Sequence, residues 1–206
     1  MKKVILGLML LFFHVFHGKC QSMELRMLKK ITDFFEEAIS TTYQSPDSSY
    51  YWFLSDFIKE QEDGNTTMII ANIDRNRLNN IIGDIRKKGM SSFFYGKRNM
   101  KDFQNTKAMP DSIFERFKIN YKYNIVRLSD IYLKYYLSGN DSELAQYVKQ
   151  QHESLIEISI LSFSLYLKPR FNELVCRKNK ELMALIFLPY LCYNTGIGFN
   201  PNQQTN

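Results

Sequence analysis

The acidic residues Glu36, Glu37 and Glu157 are the side chains of this chain best suited to chemistry. Two carboxyl groups that face each other across a cleft can supply the general acid and the nucleophile or base of a glycoside hydrolase. Glu157 lies in the apolar stretch 155–160, where burial would raise its pKa toward the range useful for a general acid. The alternative is the polar edge of a helix, which the sequence favours because neighbours at i±1 do not share a helix face. These three residues are the catalytic candidates.

Histidine and cysteine offer little further chemistry. The chain has three of each, and two histidines and one cysteine lie within its first 20 residues. Cys176 and His152 would be the nucleophile and base of a thiol dyad, but His152 lies in the polar run 150–153, which is typical of a solvated helix face. No His-Glu-x-x-His pattern and no Cys-x-x-Cys pair is present, so the sequence predicts no metal site. Nothing in it points to a cofactor.

The first 20 residues have the pattern of an export signal. Lys2 and Lys3 precede an apolar run from Val4 to Phe16, and small residues occupy the cleavage-site positions of Gly18-Lys19-Cys20. The run is shorter than the roughly 20 residues that a membrane-spanning helix needs. We therefore expect an exported protein, periplasmic or extracellular, whose mature chain has no transmembrane segment. A retained anchor and a lipid attached to Cys20 are the alternatives, and both would associate the protein with the cell envelope.

Loss of these residues lowers the net charge of the chain and leaves the length of one domain. The whole chain has 27 Lys and Arg against 21 Asp and Glu, and the first 20 residues hold three lysines and no acid, which leaves a net charge of +3. That balance is too weak to indicate a nucleic-acid partner. The full chain is 45% apolar and 15% aromatic, and we expect one helical domain over residues 21–193. Residues 194–206 predict a flexible tail.

Cys176 and Cys192 are a candidate disulfide, because an exported chain would hold this even pair in an oxidising compartment. If residues 170–192 form one straight helix, about 24 Å along its axis separates the two cysteines and no bridge can form. If residues 177–180 are a turn between two antiparallel helices, a bridge would stabilise the fold by about 3 kcal/mol. The straight helix is slightly favoured.

A basic segment occupies residues 86–107, with seven Lys or Arg residues and a single acid, Asp102. Cations interspersed with exposed aromatic rings suit an anionic partner, and another protein with an acidic surface is the partner we expect. In the competing interpretation, which the sequence favours, the rings fold back into the core. The candidate binding residues are Phe93, Phe94, Tyr95, Lys97, Arg98 and Lys101.

Helical spacing of apolar residues dominates the chain. It predicts a helix over 23–42 and a second helix that starts after Ser45-Pro46-Asp47 and ends near Gly64. A third is predicted over 66–88, with a polar gap at 74–77 that can split it, followed by a loop over 90–109.

The second half of the chain contains the ambiguous segment 110–139. Its longest apolar period predicts one helix, or two helices broken near Ser129-Asp130, although residues 119–125 alternate as a strand does. Asn140-Asp141-Ser142-Glu143 predicts the start of the next helix, whose stretch 155–167 is apolar on nearly all sides and should lie at the centre of a bundle. The last helical region opens at Pro169.

These patterns predict an all-α, single-domain bundle of six or seven helices, with a minor hairpin in the 90–125 region as a variant. The sequence lacks the residues for most common catalytic chemistry, so we expect an exported binding protein, for example an inhibitor or immunity-type protein that binds another protein. The alternative is an exported hydrolase that uses paired carboxylates. The sequence leaves the oligomeric state open.

Overall fold

A computed structural model describes residues 2–44, 48–63, 73–96, 125–154 and 157–199, with side chains from Met23 onward except that of Ser154. Of the residues that can be interpreted, 79% are helical, and the only sheet among them has two strands. The predicted all-α bundle is therefore confirmed. The candidate residues Lys97, Arg98 and Lys101 lie outside the described part of the chain.

Eight α-helices, one 3₁₀ helix and two short strands make up the described residues. In chain order they are α1 (Lys2–Tyr43), α2 (Ser49–Asp63), α3 (Arg75–Lys87), α4 (Ser91–Phe94), β1 (Ile125–Val126), α5 (Asp130–Leu137), α6 (Glu143–Ser154), β2 (Ile158–Ser159), α7 (Ile160–Leu167), the 3₁₀ helix (Lys168–Val175) and α8 (Arg177–Asn194).

Helix α8 is the centre of the bundle. Every residue from Glu181 to Cys192 is buried, so this stretch is enclosed on all sides. It packs against α1 and the 3₁₀ helix, and Phe187 contacts rings from both α1 and α2. The prediction that residues 155–167 form the central helix is wrong, because α7 covers only 160–167 and exposes Leu165.

A short antiparallel sheet interrupts the predicted helix over 142–167. Ile125 pairs with Ser159 and Val126 with Ile158, so β1 is joined to a segment more than 30 residues further along the chain. Ile125 in β1 and Ile158 in β2 are apolar residues that the helical pattern had assigned to helices. The hairpin expected within residues 90–125 differs from this, because the described partner of β1 is β2.

Most other helix ends follow their local signals. The side chain of Asp74 accepts a hydrogen bond from Arg77 N at the start of α3, and Ser129 caps α5 in the same way. Gly89 and Gly139 follow α3 and α5 with φ of 63° each, a conformation that glycine adopts without steric cost. The predicted starts and stops near these four residues are confirmed.

Pro189 lies inside α8, where its missing N–H leaves the carbonyl of Leu185, four residues earlier, without its helical donor. The hydroxyl of Tyr95 donates to that carbonyl at 2.9 Å. Tyr95 is itself buried and also contacts Phe199 at 5.8 Å between ring centroids. A side chain distant in sequence therefore completes the hydrogen bonding of the central helix, and Phe199, within the expected tail, is buried beside it.

Among the residues whose side chains the structure describes, no helix has both the length and the apolar character needed to cross a membrane.

Candidate protein-interaction surface

The aromatic residues of the basic segment are part of the core. Phe93, Phe94 and Tyr95 are all buried, and the backbone of Phe94 accepts a hydrogen bond from Ser129 N. The three rings are therefore not exposed to a partner, in agreement with the interpretation that the sequence favoured, in which they fold back into the core. Packing into the core removes the apolar area of these three rings from water.

The first three cations of the same segment remain accessible. Arg86, Lys87 and Lys88 are exposed at the end of α3, where cations interact favourably with the negative end of the helix dipole. We call these three residues the basic turn. It keeps part of the positive charge that the sequence assigned to this region.

Two of the three candidate catalytic carboxylates, Glu36 and Glu37, are bound to different cations. Glu36 Oε1 accepts from Lys180 Nζ at 2.6 Å, and Glu36 also binds Arg177. Glu37 pairs with Arg77 of α3, and Glu157 lies partly buried just before β2. Glu36 therefore joins α1 to α8, and Glu37 joins α1 to α3.

The two cysteines are free thiols at opposite parts of α8. Cys176 is exposed and precedes the helix, whereas Cys192 is buried in its last turns. One continuous helix separates them by about 24 Å, so the candidate disulfide is not formed. Burial raises the pKa of the Cys192 thiol, which makes it a poor nucleophile.

The histidine and thiol of the candidate dyad have different surroundings. His152 Nε2 lies 3.4 Å from Asp130 Oδ1, across the start of α5. Cys176 lines an open groove of ≈ 440 Å³ together with Glu173 and Asn179, and His152 is not among its lining residues. In the described part of the chain, no group of three or more His, Cys, Asp or Glu residues could hold a metal ion.

A surface formed by Tyr51, Trp52, Lys168 and Phe171 differs from the rest of the described exterior. Trp52 is 51% exposed, although an indole ring usually gains more from burial than any other side chain. Its ring lies edge-on to Tyr51, with 5.3 Å between centroids and 82° between planes. We call these four residues the aromatic surface.

Two elements hold the aromatic surface in place. Tyr51 and Trp52 lie in the first turn of α2, whose next residues, Phe53 and Leu54, are buried in the core. Phe171 of the 3₁₀ helix approaches the Tyr51 ring at 5.6 Å, and Lys168 Nζ lies 5.4 Å from the centre of that ring. Because these contacts already restrict the Tyr51 rotamer, binding would cost little additional side-chain entropy.

A second aromatic pair lies on the other side of the 3₁₀ helix start. Tyr147 of α6 and Tyr166 of α7 stack at 4.0 Å with 12° between their planes. The guanidinium of Arg170 lies 4.5 Å from the Tyr166 ring and also binds Glu143 at 3.0 Å. Burial raises the pKa of both tyrosines, so both hydroxyls are neutral donors at physiological pH.

The sequence contained a signal for the aromatic surface in the triplet Tyr50-Tyr51-Trp52, although aromatic residues are most simply interpreted as core material. The contribution of Lys168 and Phe171 could not be found in this way, because it depends on packing between α2 and the 3₁₀ helix.

Comparison of the chain with protein-family models, curated proteins and solved structures gave no significant match. Its function must therefore be inferred from its own surface and interior.

Proposed function

We propose that this protein is an exported helical protein that binds another protein through the aromatic surface, in the manner of an inhibitor or immunity protein. The observation that carries the proposal is the exposure of Trp52 on a rigid helix, braced by Tyr51 and flanked by a lysine. Tryptophan and tyrosine are the residues most enriched at the energetic centres of protein interfaces, and lysine stems add apolar contact area.

The basic turn supports an acidic partner. Exposed cations attract a negatively charged protein over a distance of about one Debye length and increase its association rate more than its final affinity. Replacing Arg86, Lys87 and Lys88 together by alanine should therefore slow association most at low salt. A matched triple substitution of the exposed Lys59, Lys134 and Lys149 has the same net charge change and should slow it less.

Export is part of the proposal because the first 20 residues have the features of a cleavable signal. The described contacts of α1 with the core begin at Met23 and Leu25, so cleavage before Gln21 would leave those contacts intact. Mass spectrometry of the protein from its own cells should give a chain that starts at Gln21. A chain found only in the cytoplasm with Met1 to Cys20 intact would contradict export.

Site-specific crosslinking tests the interaction itself. With p-benzoyl-phenylalanine in place of Trp52, irradiation of the producing cells should crosslink a discrete partner. The same group in place of Ile131, which is 61% exposed on α5, should not. This control has a similar exposure and lies on a different helix from the aromatic surface.

Affinity for the crosslinked partner then decides the role of Trp52. Trp52→Ala should weaken binding by at least about 30-fold, as expected for a residue at the energetic centre of an interface. Ile131→Ala should leave the affinity unchanged, and both variants should keep the thermal midpoint of the wild type. Equal crosslinking from both positions, or wild-type affinity of Trp52→Ala, would refute the proposed surface.

A further inference from the structure

Glu60 is a buried carboxyl group in the second half of α2. Its residue exposure is 9%, although it lies within the polar run from Lys59 to Asp63. It lies seven and three residues after the core residues Phe53 and Phe57, so helical geometry places it on their face. Its neighbour Glu62, by contrast, is exposed.

The described hydrogen-bond donor to Glu60 is the hydroxyl of Tyr190, which bonds to Glu60 Oε2. Tyr190 belongs to α8 and is buried. Its ring is held edge-on to Phe57 at 5.0 Å and to Phe187 at 6.2 Å. The pair therefore connects the last turns of α2 and α8 through a single hydrogen bond between ring-packed elements.

No lysine, arginine or histidine among the described residues pairs with Glu60. The titratable groups that face it from the packed elements are Tyr190 of α8 and, next to Tyr190, Tyr43 at the end of α1. The Tyr43 hydroxyl donates to Asp56 at 3.0 Å, so it too is committed to a carboxylate. The amide of Asn194 also lies near Tyr190.

A buried carboxylate without a cation is unfavourable, because burial removes water that would stabilise the charge. Burial raises the pKa of Glu60 above its ordinary value, and the hydrogen bond from Tyr190 offsets part of that rise. Burial and the nearby Glu60 in turn raise the pKa of Tyr190, so the tyrosine remains the proton donor.

We propose that the buried contact between Glu60 and Tyr190 is a proton-operated latch between α2 and α8. The contact is more stable when Glu60 is protonated, because the hydrogen bond from Tyr190 offsets only part of the cost of burying the charge of ionised Glu60. The latch is independent of the proposed partner and of export. It would make the end of the bundle that contains α2 and α8 tighter in acidic surroundings than at neutral pH.

The direction follows from linkage. A carboxyl group whose pKa is higher in the folded than in the unfolded chain gives its full contribution to stability below the unfolded value, which is 4.5 for an ordinary glutamate. That contribution is lost as the pH rises from there through the folded pKa. Ionisation of Glu60 therefore lowers the stability of the folded state relative to its stability at acidic pH.

Thermal unfolding of the full chain between about pH 4 and about pH 8 tests the latch. At the acidic end, the thermal midpoint of Glu60→Gln should compare least favourably with that of the wild type. Toward neutral pH, the midpoint of the variant should rise relative to the wild type by a few degrees. Glu62→Gln changes an exposed neighbour on the same helix, and its difference from the wild type should stay constant. A constant difference for Glu60→Gln as well would overturn the proposal.

Tyr190→Phe provides a second test that does not depend on the folding of the glutamine variant. Loss of the hydroxyl removes the donor that favours ionised Glu60, so the pH at which the wild-type stability falls should move upward. A tyrosine that acts only through packing would lower the midpoint without moving that pH, and this result would also refute the latch.

Hydrogen exchange locates the effect. After correction for intrinsic exchange rates, amides in residues 57–63 and 188–194 should exchange faster at neutral than at acidic pH in the wild type and equally in Glu60→Gln. A change spread evenly over all helices would show that the pH response does not arise at this pair.

Discussion

The two ends of α8 are both tied to neighbouring helices through carboxylates, but in opposite environments. At the first end, Arg177 binds Asp33 at 3.0 Å, Glu36 at 3.1 Å and Glu181 at 3.3 Å, with its own side chain 43% exposed. At the last end, Glu60 is buried and bonded to Tyr190. One end therefore uses charge pairs in contact with water, and the other uses a hydrogen bond from a tyrosine to a buried carboxyl group inside apolar packing.

This difference gives the two ends opposite responses to pH. Burial alone would raise the pKa of Asp33, but hydrogen bonds from Lys29 and Arg177 hold it below its ordinary value. Such a group contributes stability above its unfolded pKa, and the contribution is lost as the pH falls through the folded value. Acidification should weaken the Asp33 end and strengthen the Glu60 end, so two carboxyl groups act in opposite directions according to their surroundings.

The largest expected effect comes from the core that both ends share. Phe187 is fully buried between Phe35, Phe53 and Phe57, with ring centroids 4.8 to 5.9 Å away. Phe187→Ala should lower the free energy of unfolding by about 3–5 kcal/mol, measured by urea denaturation. Leu165→Ala, at a 52% exposed position of α7, should change it by less than about 0.5 kcal/mol.

The comparison predicts more than a loss of stability for Phe187→Ala. Its effect should be nearly the same at acidic and neutral pH, because the cavity carries no charge. If Phe187→Ala also abolished the pH dependence assigned to Glu60, that dependence would arise from the shared core and not from the Glu60 end of α8.

A smaller effect is expected at Tyr95, whose hydroxyl supplies the hydrogen bond that Pro189 of α8 cannot donate. Tyr95→Phe removes the hydroxyl that donates to the Leu185 carbonyl, and a buried carbonyl left without a donor should cost about 1–3 kcal/mol of unfolding free energy. In a Pro189→Ala background, the N–H of residue 189 can supply that hydrogen bond, so the same substitution should cost less. Equal costs in the two backgrounds would show that Tyr95 acts through packing alone.

Local signals predicted the helix ends of this fold better than its centre. Asp74, Ser129, Gly89 and Gly139 act on the residues beside them. In the structure, helices begin at the polar gap and at the break near Ser129-Asp130, and helices end beside the two glycines, in agreement with the predicted bounds. The centre could not be found in this way, because Pro189 and the polar start of α8 resemble a helix boundary. The pairing of β1 with β2 likewise depends on residues far apart in the chain.

The functional candidates show the same limit. Trp52 stands in an aromatic triplet of the sequence, but the sequence does not show whether its ring is exposed or in the core. That depends on tertiary packing, in which the neighbouring Tyr51 contacts Phe171 of the 3₁₀ helix. Glu60 could have been found from its spacing to Phe53 and Phe57, whereas the run of acids around it indicates a solvated edge. Its partner Tyr190 lies 130 residues away in sequence, so the environment that decides its charge is not local.

The smallest expected effect concerns Arg177 at the exposed first end of α8. Arg177→Ala removes the cation shared by Asp33, Glu36 and Glu181, but solvent screening limits the loss to about 1 kcal/mol of unfolding free energy. The loss should shrink in about 1 M salt, where the Debye length is about 3 Å, and it should also shrink at acidic pH as Asp33 is protonated. Lys149→Ala, an exposed cation on α6 with no described ion pair, controls for net charge and should show neither dependence. A loss for Arg177→Ala that persists in high salt and at low pH would mean that this end is held by the packing of the arginine stem, and the contrast between the two ends of α8 would then rest on Glu60 alone.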